Sequence, residues 1–392
     1  MRPSSSPSEP APGLFDGVLA AGPVRAAVSG PAWLAELLAV EVALARVQAR
    51  LGLISAEAAD AISAAADPAA FDVVALSAEA AAVGNPVQPL VRALRGKLPE
   101  FEDDVHKGAT SQDILDTAAM LMCRRAVDLM LSDVDAAADR AAELAAEHRD
   151  SAIMARTLLQ QAVPTTFGLV AAGWLTGLDG ASARLRSFRP AAQFGGAAGT
   201  LAALGTDGVR VMEALAVELD LAVPALPWHT DRTRIADLAG SLGAVAGAAA
   251  KVGRDVTLHA QTEVGELGDR TERGWSSAMG HKRNPVAAVA TVACAAQAPG
   301  LVATLLAAGQ SQEYQRAAGG WHAEWRPLCG LLESVGSAAY WLRDCLSSLR
   351  VDTVRMRANL GAAYPESGRR PDPGSAPELV DRALAAYRER RA

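Results

Sequence analysis

Trp275-Ser276-Ser277-Ala278-Met279-Gly280-His281-Lys282-Arg283-Asn284-Pro285 is the most informative stretch of this 392-residue chain. Two adjacent serines, a lysine and an asparagine stand close together and lead into a helix at Pro285, whose fixed φ suits a first helical position. They can supply a nucleophile or base, a cation and an amide donor at one spot. Read without its surroundings, the same string would also serve as a polar helix-capping loop.

On both sides of this loop the sequence reads as helix. Thr233 to Gly265 precedes it, and Pro285 to about Arg316 follows, interrupted at Pro299. Further back, Leu34, Leu37, Leu38, Leu44, Val47 and Leu51 recur at three- and four-residue spacing, the mark of one buried helical face, and Gly52 ends that run. A second long helix begins near Ser111 or Asp113 and runs toward His148 without an internal Pro or Gly, behind a polar loop and cap region from Glu102 to Thr110. Thr165 to Phe188 is another, and an amphipathic helix from Ala376 to Arg391 follows the Pro/Gly-rich connection Tyr364 to Gly374. Val245, Ala248 to Ala250, Val252 and Val256 make one helix apolar on more than one side, which argues for an obligate oligomer.

Composition supports an all-α fold. Aromatic residues make up only 4 % of the chain while Ala runs through almost every segment, which favours helices packed through small side chains over a sheet of bulky ones. A net charge of −7, with both signs mixed along the chain, leaves no basic stripe for a phosphate backbone, so nucleic acid is not an expected partner. Cys123, Cys294, Cys329 and Cys345 stand singly in apolar contexts and read as buried thiols of a reduced, cytoplasmic protein. The Ser/Pro-rich stretch Met1 to Gly13 has no apolar core and reads as a disordered tail, neither a signal peptide nor a membrane span. The expected organisation is therefore a tail (1–13), an N-terminal helical domain (14–110), a central long-helix domain (111–350) and a short C-terminal helical region (351–392).

Two other polar segments accompany the first: His106-Lys107-Gly108-Ala109-Thr110-Ser111-Gln112-Asp113, and Arg156-Thr157-Leu158-Leu159-Gln160-Gln161-Ala162-Val163-Pro164-Thr165-Thr166. Together the three are similar to the HxGxTSxD, RTxxQxAxPTT and GSSxMPxKxNP elements of the aspartase/fumarase superfamily. Trp275 stands where that pattern has Gly, and Gly280 where it has its first Pro. The resemblance implies a long-helix bundle with a shortened C-terminal domain. It also implies a homotetramer whose active sites are each shared by three subunits, and a small di- or tricarboxylate substrate, with no metal, no cofactor and no membrane.

It further implies roles. Ser276 would be the base that removes a proton next to a carboxylate, with Lys282 and Asn284 holding the resulting enolate. Thr110, Ser111, Thr157 and Gln160 would line the carboxylate site with His106 and Ser277, and His229 and Arg316 would be further substrate contacts. A serine is not basic by itself, so Lys282, loop amides and exclusion of water must favour its alkoxide.

Members of the superfamily that expel an amine or hydroxide carry a histidine in the RTxxQ element, oriented by a glutamate five residues after the signature Asn. This chain has Leu158 and Gln161 where that histidine could stand and Val289 in place of the glutamate. A carboxylate, with a conjugate-acid pKa of about 4, leaves or attacks without a proton donor. The resemblance therefore runs to the branch that lactonises 3-carboxymuconate by adding a substrate carboxylate across its own double bond. Two other readings stand beside it: a nitrosuccinate- or adenylosuccinate-type β-eliminating lyase, and a catalytically weak paralogue serving as a structural subunit.

Overall fold

The computed structural model describes residues 13–271, 273–363 and 372–391. The Ser/Pro-rich start, apart from Gly13, and most of the Tyr364–Gly374 connection lie outside these described residues.

An N-terminal layer holds α1 (Asp16–Leu19), α2 (Val24–Ala27), α3 (Gly30–Arg50), α4 (Ala56–Ala65), α5 (Val73–Val83) and α6 (Val87–Gly96). The bundle follows with α7 (Ser111–Glu147), α8 (Phe167–Arg186), the short α9 (Gly208–Glu218), α10 (Thr233–His259), α11 (Val286–Ala295), α12 (Ala298–Gln310) and α13 (Gly320–Ser347). After them come α14 (Thr353–Ala363) and α15 (Ala376–Arg391). Two antiparallel ribbons complete the fold: β1 (Ala152–Thr157) with β2 (Gln160–Thr166), and β3 (Leu267–Asp269) with β4 (Leu349–Val351).

The all-α reading holds, with adjustments that have local causes. The first predicted helix is α3, which Ser29 caps by accepting from the Ala32 amide at 3.3 Å. The break near Pro299 is real: Pro299 occupies the first turn of α12, where its missing N–H costs nothing. The preceding helix ends at His259 rather than Gly265, because the Gln261 carbonyl accepts from the amides of both Val264 and Gly265 and turns the chain. The 28-residue α13 carries Pro327 inside it, which hid it from a reading that treats Pro as a helix end.

Much of the apolar surface on α10 is covered within the chain, with Ala248 and Ala250 half-buried. Val245, Ala249, Val252 and Val256 are all buried, because α8, α11, α12 and α13 surround them. That stretch therefore does not itself demand an oligomer; exposed apolar groups lie elsewhere, at Leu158, Leu159, Val163, Val289 and Leu306. Both α10 and the run Val286–Gln310 are long and apolar enough to cross a membrane, yet each packs one face on α13 within the bundle. Cys123, Cys294 and Cys345 are enclosed as expected, whereas Cys329 is half-buried; burial pushes Cys294 up to about 11 and Cys345 up to about 12, the latter with help from Asp269 and Asp344.

At 37 residues, α7 is about 55 Å long and sets the scale of the molecule. Helix α13 runs beside it in the same direction: Arg316, just before α13, meets Thr110 at the start of α7, and Arg343 meets Asp133 far along it.

The β1–β2 hairpin sits beyond the other end of α7. Its two-residue turn, Leu158-Leu159, has φ of 51° and 66°, the left-handed values that a type I′ turn demands and that normally select Asn-Gly. A leucine in this region costs on the order of 1–2 kcal/mol, and these two are 95 % and 72 % exposed. Replacing Leu158→Asn and Leu159→Gly together is expected to raise the unfolding free energy by about 1–2 kcal/mol in urea denaturation. A fall instead would mean that another copy of the chain grips the leucine side chains.

Candidate active-site elements

The first motif builds one side of a cleft. His106 (φ 63°) turns the chain in a left-handed conformation and sets Thr110 at the N-cap of α7. Asp113 accepts the Thr110 amide at 3.0 Å, closing a capping box. Thr110 also accepts a hydrogen bond from Arg316 through its hydroxyl, so two predicted contacts are brought together within one chain. Gln88, Arg92, Arg95, His106, Thr110 and Ser111 line an open cleft of about 760 Å³ at this point. His106 binds Glu41 through Nδ1 at 2.6 Å. Burial opposes its protonation, but the adjoining Glu41 carboxylate and the charge of Asp113 outweigh that and raise its pKa. Arg92 and Arg95 line the cleft beside Glu102, and Arg316 reaches Thr110, so guanidinium groups stand near the Thr110–Ser111 pair, which suits a polycarboxylate.

Beneath the cleft, Asp113 is a hub. Besides Thr110, its fully buried carboxylate accepts from Gln193 Nε2 (3.0 Å) and from the amides of Gly195 and Gly196 (both 2.9 Å), and it pairs with His229 Nε2 (2.8 Å). The Gly-rich run thus cradles a protein carboxylate, not a phosphate. A Cβ on Gly195 would come within 2.7 Å of Pro227 and 2.9 Å of the His229 ring, so this approach excludes larger residues. His229 itself is 4 % exposed and faces Asp113, supporting the floor of the cleft.

One layer deeper, Arg232 is gripped by Asp116 and Glu324. Its guanidinium reaches Asp116 at 2.7 and 3.0 Å and Glu324 at 2.6 to 3.1 Å, and Trp321 Nε1 adds a bond to Asp116 at 3.0 Å. The network ties α7 and α13 together at the end that carries the cleft.

The other two motifs stand at the opposite end of the bundle. Thr157 and Gln160 face each other across the exposed end of the hairpin. The signature string forms a loop closed by a neck: Asn284 donates both its backbone amide (2.9 Å) and its side-chain Nδ2 (3.0 Å) to the Gly274 carbonyl. Gly274 has φ 76°, and a Cβ there would lie 2.0 Å from the Asn284 oxygen. The glycine requirement therefore falls on Gly274, which leaves Trp275 free to project, 69 % exposed. Within the loop Ser276 Oγ accepts from the Met279 amide at 3.2 Å, a donor that favours negative charge on the oxygen. Ser277 and Lys282 are exposed. Leu158, Gln161 and Val289 are all exposed.

Sequence reasoning did not find the link between these two far elements. Arg156, beside Thr157, grips Glu266 at 2.9 and 3.1 Å, and Glu266 leads directly into β3 and the signature loop. His259 Nδ1 (2.7 Å) and Asn359 Nδ2 (2.8 Å) complete its partners. Burial opposes ionisation of Glu266, but these hydrogen bonds and the Arg156 charge overcome it and hold the carboxyl down at about 2. Because the folded pKa is depressed, this contribution is present above the ordinary carboxylate range and is lost as pH falls toward 2. It is on the order of 3 kcal/mol. Wild type should therefore exceed Glu266→Gln in stability at pH 7, with the gap holding down to about pH 5 and narrowing below it in denaturation curves toward pH 3; a gap that stays constant to pH 3 would contradict this origin.

Thr110 and the signature loop are separated by the length of α13, about 40 Å for 28 residues. A single chain therefore does not bring the three motifs to one point.

The chain is similar to known proteins in sequence and in fold. A lyase family model matches residues 25–300. A 3-carboxy-cis,cis-muconate cycloisomerase of Bradyrhizobium diazoefficiens is 45 % identical over 360 residues, covering 90 % of this chain and 80 % of the relative. A nitrosuccinate lyase of Streptomyces davaonensis is also 45 % identical, over 364 residues, with 89 % and 77 % covered. The crystal structure of 3-carboxy-cis,cis-muconate lactonizing enzyme from Pseudomonas putida superimposes with a TM-score of 0.90 at 35 % identity, covering 97 % of this chain and 100 % of that one.

Proposed function

The chain belongs to the aspartase/fumarase lyase superfamily, and from that premise we propose that it is a cycloisomerase converting 3-carboxy-cis,cis-muconate to 4-carboxymuconolactone in aromatic-acid breakdown. One carboxylate of the substrate adds across the opposite double bond, forming the lactone C–O bond and an enolate of the neighbouring carboxylate. Lys282 and Asn284 stabilise that enolate, and the Ser276 hydroxyl delivers the proton to Cα. In reverse the Ser276 alkoxide removes this proton and the lactone opens. Thr110, Ser111, Thr157, Gln160 and Ser277 hold the carboxylates, within the field of His106 and Arg316.

The observation that carries this reading is the trio Leu158, Gln161 and Val289. Leu158 and Gln161 stand where the resemblance places the acid histidine and Val289 where it places the orienting glutamate, so neither partner is present at those positions, and a carboxylate attacking or leaving group dispenses with that acid. The same feature fits nitrosuccinate elimination, and a nitrosuccinate lyase is among the relatives, so that reading is kept as the second.

The separation of about 40 Å between Thr110 and the signature loop supports a site drawn from more than one subunit, and the family resemblance extends this to a homotetramer whose sites are each shared by three subunits. The protein acts on a small polycarboxylate in the cytoplasm.

Reaction in D2O tests the chemistry. The lactone is expected to carry one deuterium at the protonated carbon by NMR, and nitrosuccinate to yield no nitrite. Nitrite release with unreacted muconate would establish the second reading instead.

A further inference from the structure

We propose that Glu266 is a positioning residue that locks the Thr157/Gln160 hairpin to the strand launching the Ser276 loop, so that the two elements are placed as one unit. The carboxylate is fully enclosed, and each of its oxygens serves two donors. Oε2 takes Arg156 Nη1 and His259 Nδ1, and Oε1 takes Arg156 Nη2 and Asn359 Nδ2, at 2.7 to 3.1 Å.

These donors come from three elements: the hairpin, the end of α10, and α14. The Glu266 backbone is held as well. Its amide donates to the His259 carbonyl, and its own carbonyl accepts from Asp352, both at 3.0 Å.

From this fixed point the chain runs through β3 to the Gly274–Asn284 neck, only ten residues from Glu266 to Ser276. On the other side, Arg156 is next to Thr157, and its Nη1 also donates to the Met154 carbonyl of its own strand at 3.3 Å. A shift of the hairpin would therefore be felt at the base of the loop. Displacements of about 1 Å in such elements cost rates heavily.

The arrangement also gives the first helix after Val351 a task. Asn359 reaches Glu266, while Arg355 donates to the carbonyls of Val264 and Glu263 at 3.0 and 2.9 Å. Helix α14 thus braces the turn that carries Glu266.

The kinetic part of this inference rests on the functional reading above; the structural part does not. Glu266→Gln, in the full assembled protein, keeps the shape and removes the charge. Amide hydrogen exchange is expected to quicken roughly tenfold or more in both 152–166 and 273–284 while α7 stays as in wild type, and kcat to fall by a similar factor. Quickened exchange in only one segment, or an unchanged kcat, would overturn the coupling. Should that variant fail to fold, Asn359→Ala removes one of the four side-chain bonds from the periphery. It should reproduce the paired exchange at lower amplitude, and wild-type exchange in both segments would count against the proposal. If wild type itself leaves the muconate unchanged, the functional reading fails while the exchange comparison still decides the positioning role.

Discussion

Ser276→Ala is expected to lower turnover of 3-carboxy-cis,cis-muconate by about 10²- to 10⁴-fold, the usual worth of a positioned acid–base group, with melting and assembly as in wild type. The hydroxyl sits on a half-exposed loop and its recorded partner is the Met279 amide, so little folding free energy depends on it. In the reverse direction the loss should be at least as large, because the lactone opens only after Cα is deprotonated. Wild-type turnover in the variant would leave Ser276 without a catalytic part and assign the proton transfer to another residue.

The second large effect concerns the fold. Arg232→Leu should destabilise the protein by about 3–5 kcal/mol, since it leaves Asp116 and Glu324 buried without their cation. The neighbours show how tightly the charge is held: two carboxylates converge on one guanidinium that is only 3 % exposed. Burial already pushes the pKa of Glu324 up, against the opposing pull of Arg232. Without Arg232 the upward shift grows, so the protonated form is favoured and stability is retained at low pH and lost as pH rises. Urea denaturation of the variant should therefore give its highest midpoint at mildly acid pH and fall toward pH 8. A midpoint equal to wild type at neutral pH would refute the account of the network.

Much of this was legible before any coordinates. The long helices follow from three- and four-residue apolar spacing and from Ala-rich faces, and Thr110 announces the start of α7 because a capping hydroxyl precedes an unbroken apolar run. The three polar motifs are local strings, so sequence reading finds them directly. What it cannot find are partners distant in the chain. Glu41 pairs with His106 across 65 positions, and Glu266 with Arg156 across 110. Nothing near any of these residues predicts the meeting.

Other differences are conformational. The β1–β2 hairpin has leucines in the two turn positions that would ordinarily advertise themselves as Asn-Gly, so its signal was missing. Asp113 was visible as a motif residue, but its role as the floor of the cleft depends on Gly195, Gly196 and His229 folding over it. The apolar residues of α10 point to an oligomer, yet Val245, Ala249, Val252 and Val256 are buried in one chain, while Ala248 and Ala250 stay half-buried. The geometric reason to expect several copies is the distance between the motifs.

The most direct measurement mixes two disabled chains. Ser276→Ala and Thr110→Ala/Ser111→Ala are each expected to leave the diene absorbance of 3-carboxy-cis,cis-muconate unchanged, while wild type removes it. Co-refolded mixed oligomers can join an intact Ser276 loop to an intact Thr110–Ser111 pair, and they should recover a measurable part of the wild-type rate. No recovery in oligomers shown by native mass spectrometry to contain both chains would contradict the shared site, and no loss of absorbance with wild type would contradict the function.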